Sequence, residues 1–215
     1  MADPASYHHP GSTTPRGPED LYASPPPWDI GAPQPAFRAL ADAGAIRGRV
    51  LDVGCGTGEH VLMCAALGLD ATGVDLASTA LHAAKQKARD RGLTARFLSW
   101  DALKLADLGE SFDTVLDCGL FHIFTDDDRT AFVNALRSVV RPGGRYFMLC
   151  FSDQQPGDWG PRRVTRDEII ASFADGWRVE EVEPSTIDVT IEPGGIRAWL
   201  VSLTRIEEAR EGMRC

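Results

Sequence analysis

A chain of 215 residues is long enough for one full-sized domain, and its net charge of −9 with a sequence pI near 5.0 disfavours nucleic-acid binding, which requires a basic surface. Hydrophobic residues make up 43% of the chain, yet no apolar run is long enough to cross a membrane, so no membrane partner is expected. The five cysteines form no C-x-x-C pair and no signal peptide is recognised, so we predict a cytoplasmic protein without a zinc site or disulfide framework.

Both ends of the chain are predicted to lie outside the folded domain. Residues 1–20 are rich in Pro, Gly, Ser, Thr and His, which predicts a disordered tail, and residues 207–215 are predicted as a second tail. Residues 21–206 are predicted to form one domain. Its first part, residues 21–45, is a cap segment that carries aromatic residues among prolines and a helix over about 35–43.

The rest of the domain alternates strands and helices. Strands are predicted near 49–54, 70–75, 95–100, 113–118 and 145–151, and helices near 58–67, 77–91, 127–140 and 166–174. This alternation predicts a parallel sheet with right-handed crossovers. The runs 177–182 and 196–205 have no helical pattern between them, so they should pair antiparallel through a turn at 192–195. The predicted fold class is α/β, with a Rossmann-like, seven-stranded, mostly parallel sheet, helices on both faces and an antiparallel C-terminal strand.

The most informative segment is residues 50–60, Val-Leu-Asp-Val-Gly-Cys-Gly-Thr-Gly-Glu-His. A buried strand ends at Gly54, a glycine turn follows, and a helical pattern begins at Glu59. Glycines let the backbone approach a ligand closely, and the helix start offers free N–H groups. The segment therefore predicts a ligand-binding strand–turn–helix unit.

The spacing of the glycines argues against a dinucleotide. A dinucleotide site needs G-x-G-x-x-G, whereas this turn has G-x-G-x-G. Asp52 precedes the turn, where it would repel a pyrophosphate and attract an ammonium group. Asp75 ends the second strand, where an acid can bind both ribose hydroxyls.

Together these residues resemble the S-adenosylmethionine (SAM) site of class I methyltransferases, over residues 28–206. The resemblance implies SAM as cofactor and S-adenosylhomocysteine as product. Asp52 would lie near the SAM amino group, Asp75 at the ribose and Leu76 at the adenine. The implied cofactor-binding residues are Trp28, Asp52, Gly54, Cys55, Gly56, Asp75, Leu76, Trp100, Asp101, Ala102 and Cys118. For two of them a structural role stays open, since Asp101 could cap a helix and Trp100 could belong to the core.

Residues 27–35, Pro-Trp-Asp-Ile-Gly-Ala-Pro-Gln-Pro, resemble the entry segment of the thiopurine, thiol and halide methyltransferases and of bacterial quinone- and heterocycle-methylating relatives. In that branch the tryptophan lies over the cofactor, and the preceding chain closes on the substrate. The resemblance implies a cofactor contact for Trp28 and a substrate contact for Tyr22. The alternative for Trp28 is a purely hydrophobic anchor.

The fourth strand leads into the segment that, in the family, lies beside the transferred methyl group. It lacks the Asn/Asp-Pro-Pro-Tyr/Phe sequence of nucleobase amino methyltransferases. His122 follows, and an imidazole there could act as a general base or could simply pack between Phe121 and Phe124. Trp159, in a polar Gly/Pro-rich loop, could stack on an aromatic substrate. The predicted substrate contacts are Tyr22, Phe121, His122 and Trp159, with His122 as the candidate catalytic residue.

The acids at 126–128 are interpreted as the start of a helix, and no metal is predicted. We therefore predict SAM-dependent methyl transfer to an O, N or S atom of a small aromatic or heterocyclic molecule, by in-line displacement, in a monomer or homodimer. One alternative is a thiol or halide methyltransferase that needs no base. Others are a SAM-binding module without catalysis and a nicotinamide-dependent oxidoreductase, which the glycine spacing disfavours. A biosynthetic role in secondary metabolism and a detoxifying role fit the sequence equally.

Overall fold

One sheet of seven strands organises the computed structural model, which describes residues 17–207. The strands are β1 (Arg49–Val53), β2 (Asp70–Asp75), β3 (Arg96–Ser99), β4 (Phe112–Cys118), β5 (Val140–Phe151), β6 (Trp177–Val189) and β7 (Glu192–Arg205). Their order is β3-β2-β1-β4-β5-β7-β6. β1 to β5 are parallel, and β7 runs antiparallel to both of its neighbours. The predicted fold class is confirmed, and the strand order reverses between β1 and β4, where open α/β sheets bind ligands.

Helices cover both faces of the sheet. They are α1 (Pro35–Asp42), α2 (Glu59–Ala66), α3 (Ser78–Asp90), α4 (Asp126–Val139) and α5 (Arg166–Ser172). α1 to α3 contribute Phe37, Leu62 and Leu81 to the core on one face, and α4 and α5 contribute Phe132 and Ile169 to the other. Within the described part of the chain, no helix combines the length and apolarity needed to span a bilayer.

The central strands carry apolar residues on both sides because both of their faces are covered. Val50 and Phe147 belong to the core beneath α1–α3, whereas Leu51 and Met148, the next residues along the same strands, belong to the core beneath α4 and α5. Successive strand side chains point to opposite faces, so a doubly covered strand reads as a continuous apolar run. Their carboxyl ends are thereby fixed at one edge of the sheet.

The folded domain begins earlier than the sequence predicts. Pro18–Tyr22 form a 3₁₀ helix, so residues 17–20 are not part of a tail. The Glu19 carboxylate accepts the Ser78 N–H at 2.6 Å and the Thr79 hydroxyl at 2.8 Å, which satisfies the first turn of α3. The remainder of the predicted N-terminal tail and residues 208–215 lie outside the described residues.

The C-terminal hairpin is longer than predicted, and its turn is displaced. β6 ends at Val189 and β7 begins at Glu192, so residues 190–191 form the turn and the predicted turn at 192–195 is wrong. Contacts to the N-terminal segment hold this end in place. The Thr190 N–H donates to the Pro27 carbonyl at 2.8 Å, and the Gln34 side chain bonds both backbone groups of Asp188, at 2.8 and 3.0 Å.

Candidate active site

The glycine turn after β1 is held by a carboxylate from the end of β2. Gly54, Gly56 and Gly58 have φ of 69°, 51° and 86°, which side chains with a Cβ rarely adopt. Asp75 accepts the N–H groups of Gly56 and Ala77, each at 2.8 Å. Burial raises the pKa of Asp75, while these two hydrogen bonds oppose the rise. The turn and the carboxylate are therefore one rigid unit at the carboxyl edge of the sheet.

Asp52 is a buried carboxylate beneath this turn. Its side chain is 1% exposed, and among residues 17–207 neither oxygen has a hydrogen-bond donor. Its negative charge, after burial itself, raises the pKa of the Cys55 thiol. A buried carboxylate without donors is costly, so its chemistry fits a ligand that brings an ammonium group.

A tyrosine covers the glycine turn. A Cβ added to Gly56 would fall 2.7 Å from the Tyr22 hydroxyl, and one added to Gly54 would fall 3.3 Å from Leu120. Burial, followed by the charge of Asp75, raises the pKa of Tyr22. The Trp28 ring meets Tyr22 edge-on at 6.4 Å. Tyr22, predicted as a substrate contact, therefore lies over the glycine turn, because the 3₁₀ helix brings it close to Gly56.

The segment that carries Trp28 is anchored to the same turn by a polar cluster that sequence reasoning missed. The Thr57 hydroxyl donates to Asp29 at 2.9 Å, and Lys87 donates to Thr57 at 2.8 Å while pairing with Glu59 at 2.9 Å. Asp29, the acid of the Pro-Trp-Asp sequence, is the residue from which this cluster could have been predicted. These contacts fix the position of Trp28, which is 38% exposed.

The far end of the predicted cofactor side is formed by β2 and the segment after β3. Leu76 is 49% exposed at the end of β2. Asp101 caps the 3₁₀ helix Ala102–Leu108, and Trp100 donates its indole N–H to the Lys104 carbonyl at 2.9 Å while packing on the core. The structural alternatives for Asp101 and Trp100 are thus present in the structure. Neither excludes an additional contact with a ligand.

Beyond β4, a buried aspartate shapes the turn. Asp117 accepts the N–H groups of Leu120 and Phe121, at 2.8 and 3.1 Å, and the Tyr146 hydroxyl at 2.8 Å. Burial raises the pKa of Asp117 to about 7. The half-buried Cys118 follows it as the last residue of the strand. Nothing in the sequence marks this acid as a turn residue, since its partners include a tyrosine from β5.

His122 does not have the geometry of the predicted base. Its Nδ1 accepts the Phe151 N–H at 3.0 Å, and the ring is 4% exposed. Burial, and then the charges of Arg129 and Arg163, lower its pKa to about 3. The neutral ring therefore carries its proton on Nε2, which lies 3.5 Å from the position of a Cβ on Gly119. An imidazole in this state is suited to donate a hydrogen bond rather than to take a proton.

Phe121 is not available to a substrate. Its side chain is fully buried, stacks on Phe173 with ring centroids 5.7 Å apart, and lies beneath the Arg129 guanidinium at 4.7 Å. The predicted substrate contact is therefore a core contact. The reason is that the 3₁₀ turn after β4 directs this side chain towards α4 and α5.

Trp159 stands in a loop that one arginine organises. The Arg163 guanidinium lies 5.8 Å from the Trp159 ring and 5.3 Å from the Phe151 ring, and the two rings meet edge-on at 6.4 Å. Its three nitrogens donate to the carbonyls of Gln155, Gly157 and Pro161. Trp159 is 38% exposed, so this loop presents an aromatic surface beside a cation.

The acids at 126–128 begin α4, and Thr125 caps that helix by accepting the Asp128 N–H at 3.2 Å. Across residues 17–207 there is no group of three or more His, Cys, Asp or Glu side chains placed to hold a metal ion. The charged residues of this segment are accounted for by the helix start and by a pair between Asp126 and Arg162.

Comparison with known proteins matches residues 50–144 to the methyltransferase domain family. The chain is 34% identical, over 79% of its length and 76% of the relative, to 2-heptyl-1-hydroxyquinolin-4(1H)-one methyltransferase from Mycobacteroides abscessus. It is 40% identical to a protein whose structure concerns conversion of a disulfide bond into a thioacetal group during echinomycin biosynthesis, with a TM-score of 0.77 over 86% of this chain and 87% of that one. Magnesium protoporphyrin IX methyltransferase from Synechocystis PCC 6803, solved with bound SAM, shares the fold at 20% identity, with a TM-score of 0.62 over 79% and 76% of the two chains.

Proposed function

Because this chain belongs to the family of SAM-dependent methyltransferases, we propose that it methylates a small aromatic or heterocyclic molecule that enters the site as an anion. SAM supplies an activated methyl group on a sulfonium, so the protein's task is to align the acceptor and exclude water. Holding two reactants in attack geometry is worth roughly 7–11 kcal/mol. The proposal that the acceptor is an anion is supported by the hydrogen bond from the Phe151 N–H to His122 Nδ1.

On the cofactor side, we assign Asp52 to the methionyl ammonium and Asp75 to the ribose. The orphaned oxygens of Asp52 support the first assignment, and the place of Asp75 at the end of β2 supports the second. Leu76 would contact the adenine, and Tyr22 with Trp28 would cover the methionyl end. The other predicted contacts follow from their places on the same strand ends: Gly54, Cys55, Trp100, Asp101, Ala102 and Cys118.

On the acceptor side, His122 is not suited to remove a proton, and the nearby Asp117 carboxylate already accepts three hydrogen bonds. Since His122 Nδ1 already accepts a hydrogen bond and the ring is neutral, an acceptor has to ionise by itself. Two cations favour that ionisation. Arg129 is 4% exposed and its Nη2 has no partner among residues 17–207, and Arg163 stands beside Trp159. His122 Nε2–H would then donate a hydrogen bond to the anion.

A heterocycle with an acidic hydroxyl meets these requirements best. The Mycobacteroides abscessus relative is named for a 1-hydroxyquinolin-4(1H)-one, which is both aromatic and acidic. Such a ring could stack on Trp159. A thiolate is the second candidate, favoured by the 40% identical protein associated with sulfur chemistry in echinomycin biosynthesis.

The test is S-adenosylhomocysteine release with a series of 1-hydroxyquinolin-4-ones whose ring substituents vary the acceptor pKa, and with aryl thiols. We expect the pH midpoint of kcat/KM to follow the acceptor pKa. His122→Gln should retain most activity because its amide reaches the Nε2 position, and His122→Ala should lose about tenfold, as for one charge-assisted hydrogen bond. His82→Gln, at an exposed position of α3, is the matched control. A pH midpoint of kcat/KM that stays near 6–7 whatever the acceptor pKa would instead identify a base on the enzyme. Turnover with thiols alone would favour the thiolate acceptor.

A further inference from the structure

A histidine stands behind the cofactor carboxylate. His60, in the first turn of α2, places Nδ1 3.6 Å from Asp52 Oδ2, and its side chain is 12% exposed. This separation is too long for a hydrogen bond but short enough for an electrostatic contact. The two side chains therefore interact electrostatically while the carboxylate keeps its hydrogen-bonding capacity.

A backbone contact fixes which nitrogen of His60 carries the proton. The Gln34 N–H donates to His60 Nε2 at 3.2 Å, so Nε2 is the acceptor and Nδ1 bears the hydrogen of the neutral ring. The Phe37 ring meets His60 edge-on at 4.9 Å and restricts its rotation. The N–H of Nδ1 consequently points to the Asp52 side.

Gln34, which orients His60, is itself held by the hairpin of β6 and β7. Gln34 is 3% exposed, and its side chain is held by both backbone groups of Asp188 at the end of β6. The imidazole is thus oriented by a residue that is itself locked by two hydrogen bonds. A ring that served only to fill space would not need this tautomer to be specified.

We propose that His60 is a positioning residue that orients the Asp52 carboxylate towards the methionyl ammonium of SAM. The inference rests on the proposed placement of Asp52. A lysine or arginine at this place would neutralise Asp52 and compete with the ammonium, whereas a neutral N–H dipole orients the carboxylate and leaves its charge for the ligand.

Two ligands separate this role from packing. S-adenosylhomocysteine carries the amino-acid group, and 5′-methylthioadenosine lacks it, so only the first can report on Asp52. Calorimetric Kd values for both are measured with wild type and with Asp52→Asn, His60→Ala, His60→Asn and His60→Gln. Asparagine places its amide nitrogen near Nδ1, and glutamine places its amide near Nε2, so the pair separates the contact with Asp52 from the contact with Gln34.

We expect Asp52→Asn to weaken S-adenosylhomocysteine about 30-fold, as for a lost hydrogen-bonded charge pair, and His60→Ala to weaken it about fivefold. 5′-Methylthioadenosine affinity should stay within twofold in each variant. His60→Asn should restore the affinity and His60→Gln should not. In an Asp52→Asn background, His60→Ala should have no further effect, because it acts through Asp52.

Three outcomes overturn the inference. Equal losses for both ligands in His60→Ala would make the residue structural. If S-adenosylhomocysteine affinity is unchanged in His60→Ala but falls in Asp52→Asn, the positioning role of His60 is refuted and the placement of Asp52 stands. If S-adenosylhomocysteine affinity does not fall in Asp52→Asn, the placement of Asp52 at the methionyl ammonium is refuted as well. Acceptor turnover in wild type tests the proposed function separately, so its failure is distinguishable from all three.

Discussion

The two halves of the candidate site differ in the charged residues that line them. The cofactor half is the glycine turn with the ends of β1 to β3, where Asp52 and Asp75 are buried or half-buried acids. The acceptor half is the ends of β4 and β5 with the loop 152–164, where Arg129 and Arg163 surround a neutral His122. The contrast teaches how the proposed division would work: the two acids would attract a donor that carries a sulfonium and an ammonium group, and the two arginines would attract an anionic acceptor.

The halves also differ in construction. The glycine turn of the cofactor half comes from consecutive residues, and Asp75, 19 positions after Gly56, holds it through backbone N–H groups. The acceptor half is assembled from segments far apart in the chain, as when the β5 residue Phe151 bonds His122, 29 positions away. Each half can therefore be perturbed with little effect on the other.

The largest effect is expected from Gly58→Ala in the cofactor half. Gly58 has φ 86°, and a Cβ there would fall 2.8 Å from both Ala84 and Phe97. Left-handed strain of about 1–2 kcal/mol and overpacking of about 1–3 kcal/mol should together lower the free energy of unfolding by about 2–5 kcal/mol. Urea unfolding measures it. Gly68→Ala, with φ 78° and open space, is the control and should cost only the strain. Equal losses in the two variants would contradict the role of close packing at Gly58.

Two buried groups of the acceptor half, His122 and Asp117, should make the free energy of unfolding depend on pH. The folded-state pKa of His122 is lowered to about 3, so the folded state resists protonation and this group alone removes about 2 kcal/mol of stability between pH 7 and 5. Asp117, with its pKa raised to about 7, contributes in the opposite direction over the same interval.

His122→Gln should therefore gain about 2 kcal/mol on acidification from pH 7 to 5 relative to wild type. Denaturant unfolding at several pH values measures this difference. His82→Gln, exposed on α3, should follow wild type. A wild-type slope in His122→Gln would show that the imidazole is free to protonate in the folded protein.

Removing the Arg163 side chain from the loop 152–164 should affect the acceptor half only. Arg163→Ala takes away three hydrogen bonds to loop carbonyls and the charge beside Trp159. We expect kcat/KM for the acceptor to fall about tenfold, while the S-adenosylhomocysteine Kd stays within twofold. Arg162→Ala, which alters pairs with Asp126 and Glu168, is the neighbouring control. A comparable rise in the cofactor Kd would show that the halves are coupled.

The smallest effect concerns the 3₁₀ helix that places Tyr22. Hydrogen bonds from Ser78 and Thr79 lower the pKa of Glu19 to about 2, so its carboxylate is ionised throughout the range from pH 5 to 8. Glu19→Gln should weaken S-adenosylhomocysteine about threefold, because the contact is exposed. Asp20→Asn, on the same helix, should not. Faster amide exchange at Ser78 and Thr79 in Glu19→Gln would support the contact, and unchanged exchange would argue against it.

Sequence reasoning succeeded where the structure depends on consecutive residues. The fold followed from strand and helix patterns, and the glycine turn from residues 52–58, because backbone geometry limits what such a sequence can form. It failed where burial decides the role. Phe121 was assigned to the acceptor, yet it is enclosed by Phe173, which lies about fifty positions later.

The displaced hairpin turn and the position of Tyr22 have the same cause. Both depend on how the N-terminal segment packs, through the Pro27–Thr190 and Gln34–Asp188 contacts and through Glu19. Local propensity contains no information about partners more than 50 residues away. The loop 152–164 is a different case, because its shape depends on local hydrogen bonds such as that from Arg163 to the Pro161 carbonyl, which propensity alone does not specify.

The contact between Gln34 and Asp188 joins positions 154 residues apart, and this has a consequence for the order of folding. Closing so long a loop is entropically expensive, so it is favoured only after the intervening strands have paired. We expect a refolding chain to regain its sheet before it regains the orientation of His60. Stopped-flow refolding followed by circular dichroism and by S-adenosylhomocysteine binding would show the ligand signal recovering last, and simultaneous recovery would contradict this order.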